Sequence, residues 1–200
     1  MKILIIGGNG TIGKRVVAHF QKSNEIIIAG RTSGDVTVDI ADSNSIKSMF
    51  DKTGKLDAII CIAGEAKWDD FNQLSEEDYY IGLKSKLMGQ VNLVRIGQNY
   101  LNPNGSVTLS TGILADDPVA QTTSAAMVNG GIHSFVKAVA LEIENGVRVN
   151  VVSSGMVEDA YEKYKDAFPG HNPIPMEKVV RGYIRSVDGK GNGEIIKIYV

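Results

Sequence analysis

Gly8-Asn9-Gly10-Thr11-Ile12-Gly13 repeats glycine at the spacing of a turn that cradles phosphate, and Gly7 extends the run. Glycines there allow a tight bend and close backbone approach to an anion, and the last one lets the following helix pack on the preceding strand. Backbone amides at the start of that helix, aided by its dipole, then hold negative charge. A binder of an unphosphorylated dinucleotide carries a carboxylate for the ribose hydroxyls about 20 residues on. This sequence has Gly30-Arg31-Thr32-Ser33 instead. Arg31 can pair with a 2′-phosphate that a carboxylate would repel, and two hydroxyl side chains can donate to it. The pattern predicts a dinucleotide site built from Gly7, Asn9, Gly10, Thr11, Ile12 and Gly13, with Arg31, Thr32 and Ser33 favouring NADP(H) over NAD(H). A solvated arginine at a strand end is the other reading of Arg31.

Other reactive side chains are sparse. His19, His133 and His171 lack metal-ligand spacing, so no metal is expected and packing or surface roles are the default. Asp69-Asp70 and Glu76-Glu77-Asp78 suit the start of a helix without any catalysis. Cys61 is the single cysteine, which excludes a disulfide framework or a clustered-cysteine zinc site and suits a reducing, cytoplasmic compartment. Twenty-one basic against twenty-three acidic residues give a net charge of −2, so no bulk field favours nucleic acid or an anionic membrane. Apolar runs are far shorter than the ~20 residues of a membrane span, and the N-terminus lacks the pattern of a signal peptide.

The elements that must position these residues alternate strand-length apolar runs with helical periodicity. Strands are predicted at Lys2–Ile6, Glu25–Ala29, Val36–Val38, Asp57–Ile62, Ser106–Leu109, Val147–Val152 and Glu194–Val200. Helices are predicted from Thr11, from the cap Asp42-Ser43, from the capping box Ser75 to Asp78, and within Val119–Glu144. Pro103-Asn104-Gly105 reads as a turn, Asn145-Gly146 as a left-handed helix cap, and Val157–Val187 as mixed helix and loop. The fold class is α/β: a Rossmann-type, doubly wound parallel sheet of about seven strands in a three-layer α/β/α arrangement. One domain spans 1–200, with 156–192 as a short substrate-side insertion.

With these residues in view, the chain resembles the short-chain dehydrogenase/reductase family over Met1–Val157 and the last strand. Asp39-Ile40 resembles the pair that contacts adenine, and Ala63-Gly64 resembles the end of the family's Asn-Asn-Ala-Gly motif. Leu109-Ser110-Thr111 looks like the strand end carrying the catalytic serine. Val136–Gly155 is similar to the helix and strand before the nicotinamide loop, with Ser154 in place of its proline. The resemblance implies cofactor contacts at Asp39, Ile40, Ala63, Gly64, Asn129 and Gly155. It also places Ala125 where the family has its catalytic tyrosine, Asn129 where it has its lysine, and Lys86 near its helix asparagine.

Alanine has no proton to give, and asparagine is neutral although its amide can still meet a ribose hydroxyl. Thr111, Ser110 and Lys86 remain as catalytic candidates. Lys86 reads either as a desolvated proton donor or as a helix lysine reaching water. Tyr161 and Tyr164 fall where the family builds its substrate lid, and packing explains them as well. Two functions fit. One is an NADP(H)-dependent oxidoreductase on a small carbonyl or alcohol. The other is an NADP(H)-binding sensor or interaction protein without turnover. The resemblance further implies a homodimer or homotetramer paired through the helices starting near Asp78 and Val119.

Overall fold

Strand β1 (Lys2–Ile6) lies in the middle of a seven-stranded, wholly parallel sheet, and the computed structural model describes residues 1–199. The other strands are β2 (Glu25–Gly30), β3 (Val36–Thr37), β4 (Leu56–Cys61), β5 (Leu101–Gly112), β6 (Arg148–Ser154) and β7 (Ile195–Ile198). Their order is β3-β2-β1-β4-β5-β6-β7, so the chain first adds strands on one side of β1 and then, from β4, on the other. That reversal opens a crevice beyond the carboxyl ends of the two strands, where doubly wound folds bind their ligands. The predicted seventh strand runs to Val200, which lies outside the described residues.

Alternation along the strands builds two cores. Ile3, Ile5, Ala58 and Ile60 face helices α1 (Thr11–Phe20) and, at the other end of the chain, Met176–Asp188, packing with Val16, Phe20, Val179 and Tyr183. Leu4, Ile6, Ile59 and Cys61 point the other way, into a layer with Phe50, Leu93 and Val136. Because both faces are covered, the central strands are apolar throughout. The second layer consists of α2 (Ser43–Thr53), a rod running from α3 (Glu76–Gly82) into α4 (Gly89–Gly97), and α5 (Thr123–Val139). Asp42 caps α2, and Ser75 and Asp78 form the reciprocal capping box of α3, worth about 1 kcal/mol. Between α3 and α4 the rod widens into a π-type turn over Leu83–Met88.

Two local expectations are corrected. Pro103-Asn104-Gly105 does not end an element: β5 absorbs it as a bulge, the register against β4 jumping from Leu56↔Leu101 to Ala58↔Ser106 while Asn104 takes φ 64°. Asn145-Gly146 does not cap α5, which ends at Val139. Both residues are left-handed, at φ 57° and 69°, in the turn into β6, and Asn104 donates its amide to the Asn145 carbonyl at 2.9 Å. Segment 156–192 also divides. Only its first part, with the short α6 (Tyr161–Tyr164), lies over the site, while α7 (Met176–Asp188) belongs to the core layer beside α1.

Candidate active site

The crevice holds two adjoining cavities. The first, about 350 Å³, is walled by Gly7, Gly30, Arg31, Val38, Ile40, Ala63 and Gly64. The second, about 570 Å³, runs from Gly10–Gly13 past Gly64 and Lys86 to Gly112, Gly155 and an aromatic rim of Trp68, Tyr164 and Phe168. Between them lies the glycine turn. Gly7 sits at φ +82°, and a Cβ there would come 2.6 Å from the Ile62 carbonyl oxygen. A Cβ on Gly13 would collide with the carbonyl of Gly7, so this helix can start so close to β1 only with glycine. α1 has no side-chain cap, and the amides of Thr11, Ile12 and Gly13 find no acceptor within the described residues. An anion at a helix start satisfies such donors.

At the outer end of the first cavity, Arg31 bonds Glu65 at 3.0 Å, and Asn9 donates its amide to Ser33 Oγ at the same distance. Ile40 forms part of the wall, whereas Asp39 turns back to accept the Ala41 amide. Thr32 and Ser33 lie on the exposed turn after β2. Gly155 lets Ile174 and Tyr199 approach closely. Ile174 pairs with Val157, and its amide donates to the Met156 carbonyl, closing the base of the loop that carries α6 over the second cavity.

The inner end of the crevice brings Lys86, Thr111, Ala125 and Asn129 around one small cavity of about 240 Å³. Gly64, at φ +119°, leaves room for the Lys86 stem to lie against it. Lys86 projects from the π-type turn, a widening often found at functional sites. Burial pulls its pKa below the ordinary lysine value, and Cys61 is the titratable neighbour that opposes the shift. Asn129 is buried, and its Oδ1 has no partner among the described residues. A buried acceptor left without a donor costs stability unless a ligand supplies one. These features fit a dinucleotide: unpaired amides for its diphosphate, a cavity walled in part by Val38, Ile40 and Ala63 for its base, and polar groups at the inner end for a ribose.

Ser110 and Thr111 separate. Successive strand residues face opposite sides, so Ser110 points with Thr108 toward α7, and Thr111 points with Leu109 toward α5. Ser110 Oγ donates to the Cys61 carbonyl at 2.5 Å and therefore accepts from Tyr183 Oη at 2.8 Å. Its backbone is clasped by buried Gln90, whose amide bonds both the Ser110 carbonyl and the Ser110 amide, at 3.0 and 2.9 Å. Ser110 is thus remote from the cavity, and Gln90 is a strand-end clasp that sequence reasoning missed. Thr111 Oγ1 lies 2.8 Å from His133 Nε2. His133 was expected to be a packing or surface residue; it follows Ala125 and Asn129 at helical i, i+4, i+8 spacing on one face of α5, a signal present in the sequence.

A family model described as enoyl-(acyl carrier protein) reductase matches residues 12–179. The chain belongs to the short-chain dehydrogenase/reductase family. Among solved structures of similar proteins, lin1944 from Listeria innocua is 44% identical, with a TM-score of 0.98 and 100% of each chain covered. A small-chain dehydrogenase in complex with NADPH is 25% identical at TM-score 0.88, covering 99% of this chain and 96% of that one. A short chain dehydrogenase from Burkholderia cenocepacia J2315 in complex with NADP shares the fold at TM-score 0.84 and 16% identity, covering 98% and 95%. No curated protein matches the chain. Among the described residues, no helix is long and apolar enough to cross a membrane.

Lys86 and Asn129 both line the same small cavity. The resemblance in sequence would put the family's lysine at 129 and its tyrosine at 125. Ala125 is 5% exposed and packed in a cluster with Ile113, Leu114, Met156 and Phe168.

Proposed function

We propose that this chain is an NADPH-dependent reductase of small carbonyl compounds in which Lys86 replaces the charge that the family carries on α5. The observation that carries this reading is the cavity that Lys86 and Asn129 share, which holds a cation and an amide together. A partly buried ammonium beside a buried amide whose Oδ1 has no partner among the described residues is a pair of groups that a ligand would complete.

In this reading the amides of Thr11–Gly13 bind the diphosphate, and Arg31, Thr32 and Ser33 hold the 2′-phosphate. Ile40, Ala63 and Gly64 flank the adenine, Gly155 lies at the nicotinamide end, and Asn129 Oδ1 accepts from a ribose hydroxyl. The bound cofactor supplies hydride. Lys86 stabilises negative charge as it develops on the carbonyl oxygen, and Thr111 donates a hydrogen bond to that oxygen. Trp68, Tyr164 and Phe168 exclude water and favour an apolar substrate.

The deciding assay follows loss of NADPH absorbance with aldehydes, ketones and quinones. Turnover on any of them supports the reductase. Tight NADPH binding without turnover across the panel replaces it with the sensor reading, which Ala125 favours. Arg31→Glu is expected to weaken NADPH binding by roughly 10–100-fold and spare NADH, since hydrogen bonds to charged groups contribute about 1.5–3 kcal/mol. Equal loss for both cofactors would remove Arg31 from the phosphate site.

The protein also pairs, in this reading, through α3, α4 and α5. Ile81 on α3, Met88 on the π-type turn and Met127 on α5 are 42%, 46% and 44% exposed, apolar side chains that pairing would cover. Sedimentation as a dimer or tetramer is expected, and a monomer at micromolar concentration would reject it.

A further inference from the structure

With the phenol of the family replaced by Ala125, the small cavity needs a source for the proton that a reduced carbonyl oxygen must take up. Thr111 is the hydroxyl that faces it. A threonine hydroxyl alone is a poor acid, because once it gives up its proton nothing restores it. Here one partner is in place: His133 Nε2 lies 2.8 Å from Thr111 Oγ1, on the side away from the cavity. His133 is 7% exposed, so its ring is largely enclosed by the protein.

The surroundings are those of a titrating group. Asp116, after the short helical turn Ile113–Ala115, favours the charged ring, while Lys197 from β7 and Lys137 from α5 oppose it. Asp116 is itself engaged by Lys197 at 3.0 Å and by Tyr199 Oη. Ser153 pairs with Thr111 in the sheet register and points to the same face, beside Tyr199. Thr111, Ser153 and His133 thus form a polar group between the sheet and α5.

We propose that His133 is a positioning residue for catalysis, passing a proton through Thr111 to the carbonyl oxygen and so standing in for the missing tyrosine. This rests on the reductase reading above. As hydride from the reduced nicotinamide adds to the carbonyl carbon, the carbonyl π pair moves to oxygen, which takes the hydrogen of Thr111 Oγ1. Thr111 Oγ1 takes the Nε2 proton of the imidazolium, His133 becomes neutral, and solvent water reprotonates it. Reduction then requires charged His133. Burial lowers the pKa of that ring below the ordinary histidine value, so the rate is high in acid and falls as pH rises through a midpoint below that of free histidine.

The test combines NMR and kinetics. In the protein alone, the His133 ring resonances are expected to titrate below the free-histidine midpoint, and Thr111→Val is expected to move that midpoint. A free-histidine midpoint that Thr111→Val leaves unmoved overturns the pairing. In steady-state reduction of the best substrate from the panel, His133→Gln keeps a polar partner for Thr111 but cannot titrate. It is expected to abolish the pH-dependent fall in rate and to lower kcat by roughly 10²-fold or more, as removal of acid–base assistance does. NADPH affinity should stay within about twofold. If His133→Gln turns over with the wild-type pH profile, the relay is wrong and the reductase stands. If the wild type binds NADPH and reduces nothing, both fail.

Discussion

The two ends of the crevice are built from different kinds of constraint. At the dinucleotide end the recognising groups are backbone amides, and the side chains matter mostly by being absent: Gly7 and Gly13 have no alternative without collision. At the inner end the groups are side chains on three separate elements, with Lys86 on the π-type turn, Thr111 on β5 and Asn129 on α5. A backbone site is fixed by the course of the chain and tolerates almost no substitution. A side-chain site can keep its chemistry while the residues trade places, as the proposed function assigns to Lys86 and Asn129. The first end therefore identifies a cofactor class, and the second leaves the substrate open.

The largest expected effect breaks the first end. Gly13→Val would put a Cβ in collision with the Gly7 carbonyl oxygen and 2.8 Å from the Gly8 backbone, with two further methyl groups to place. Loss of detectable NADPH binding, with a fall in thermal midpoint from overpacking of about 1–3 kcal/mol, is the expected result. Normal binding would show that the turn is not held by glycine geometry, and the contrast between the two ends would collapse.

Lys86→Ala tests the second end. A drop in kcat of about 10²-fold, the scale of removing one preorganised charge-stabilising donor, is expected with little change in NADPH affinity. Lys86→Met, which keeps the stem against Gly64 but not the charge, should behave the same way. If Met restores activity, the stem rather than the ammonium is what the cavity uses. Folding should not suffer, because a desolvated and unpaired ammonium is itself a burden.

Legibility in the sequence followed the same division. The β1-turn-α1 unit and the capping box at Ser75 were readable because each depends on residues adjacent in the chain. The parallel sheet of seven strands was readable because strands covered on both faces leave continuous apolar runs. The bulge at Pro103-Asn104-Gly105 was not, since it depends on β4 and on Asn145 across the turn into β6. Ser110 and Thr111 were grouped as neighbours, although alternation alone separates them: Leu109 is core on the α5 side, so Thr111 must share that side. Gln90 gave no signal, because a buried glutamine on a helix is recognisable only once the strand end it clasps is known.

Ser110 supplies a sharper and smaller test. Ser110→Ala leaves the Cys61 carbonyl and Tyr183 hydroxyl without their partner in a closed core, costing about 1–3 kcal/mol of stability. Since Tyr183 is fully buried and its pKa is raised by burial, its hydroxyl stays protonated and cannot be accommodated as a charge. Urea unfolding should show that loss while the kcat of the folded protein is unchanged. A variant that keeps its stability but loses activity would return Ser110 to the chemistry.

The smallest expected effect lies where the two constraints meet. Arg31 is a side-chain element in the backbone-built end, and Glu65 already occupies its guanidinium at 3.0 Å. A 2′-phosphate must displace that carboxylate or share the arginine with it. Both groups are 58% exposed, so the pair contributes only about 0.2–1 kcal/mol. Glu65→Gln is therefore expected to tighten NADPH binding by no more than roughly fivefold, to leave NADH unaffected, and to lose its advantage at high salt, where the exposed pair is screened. Tighter binding of both cofactors alike would mean that Glu65 repels the diphosphate rather than competing for Arg31. In that case cofactor preference would depend on the charge of the whole cleft mouth and not on one arginine.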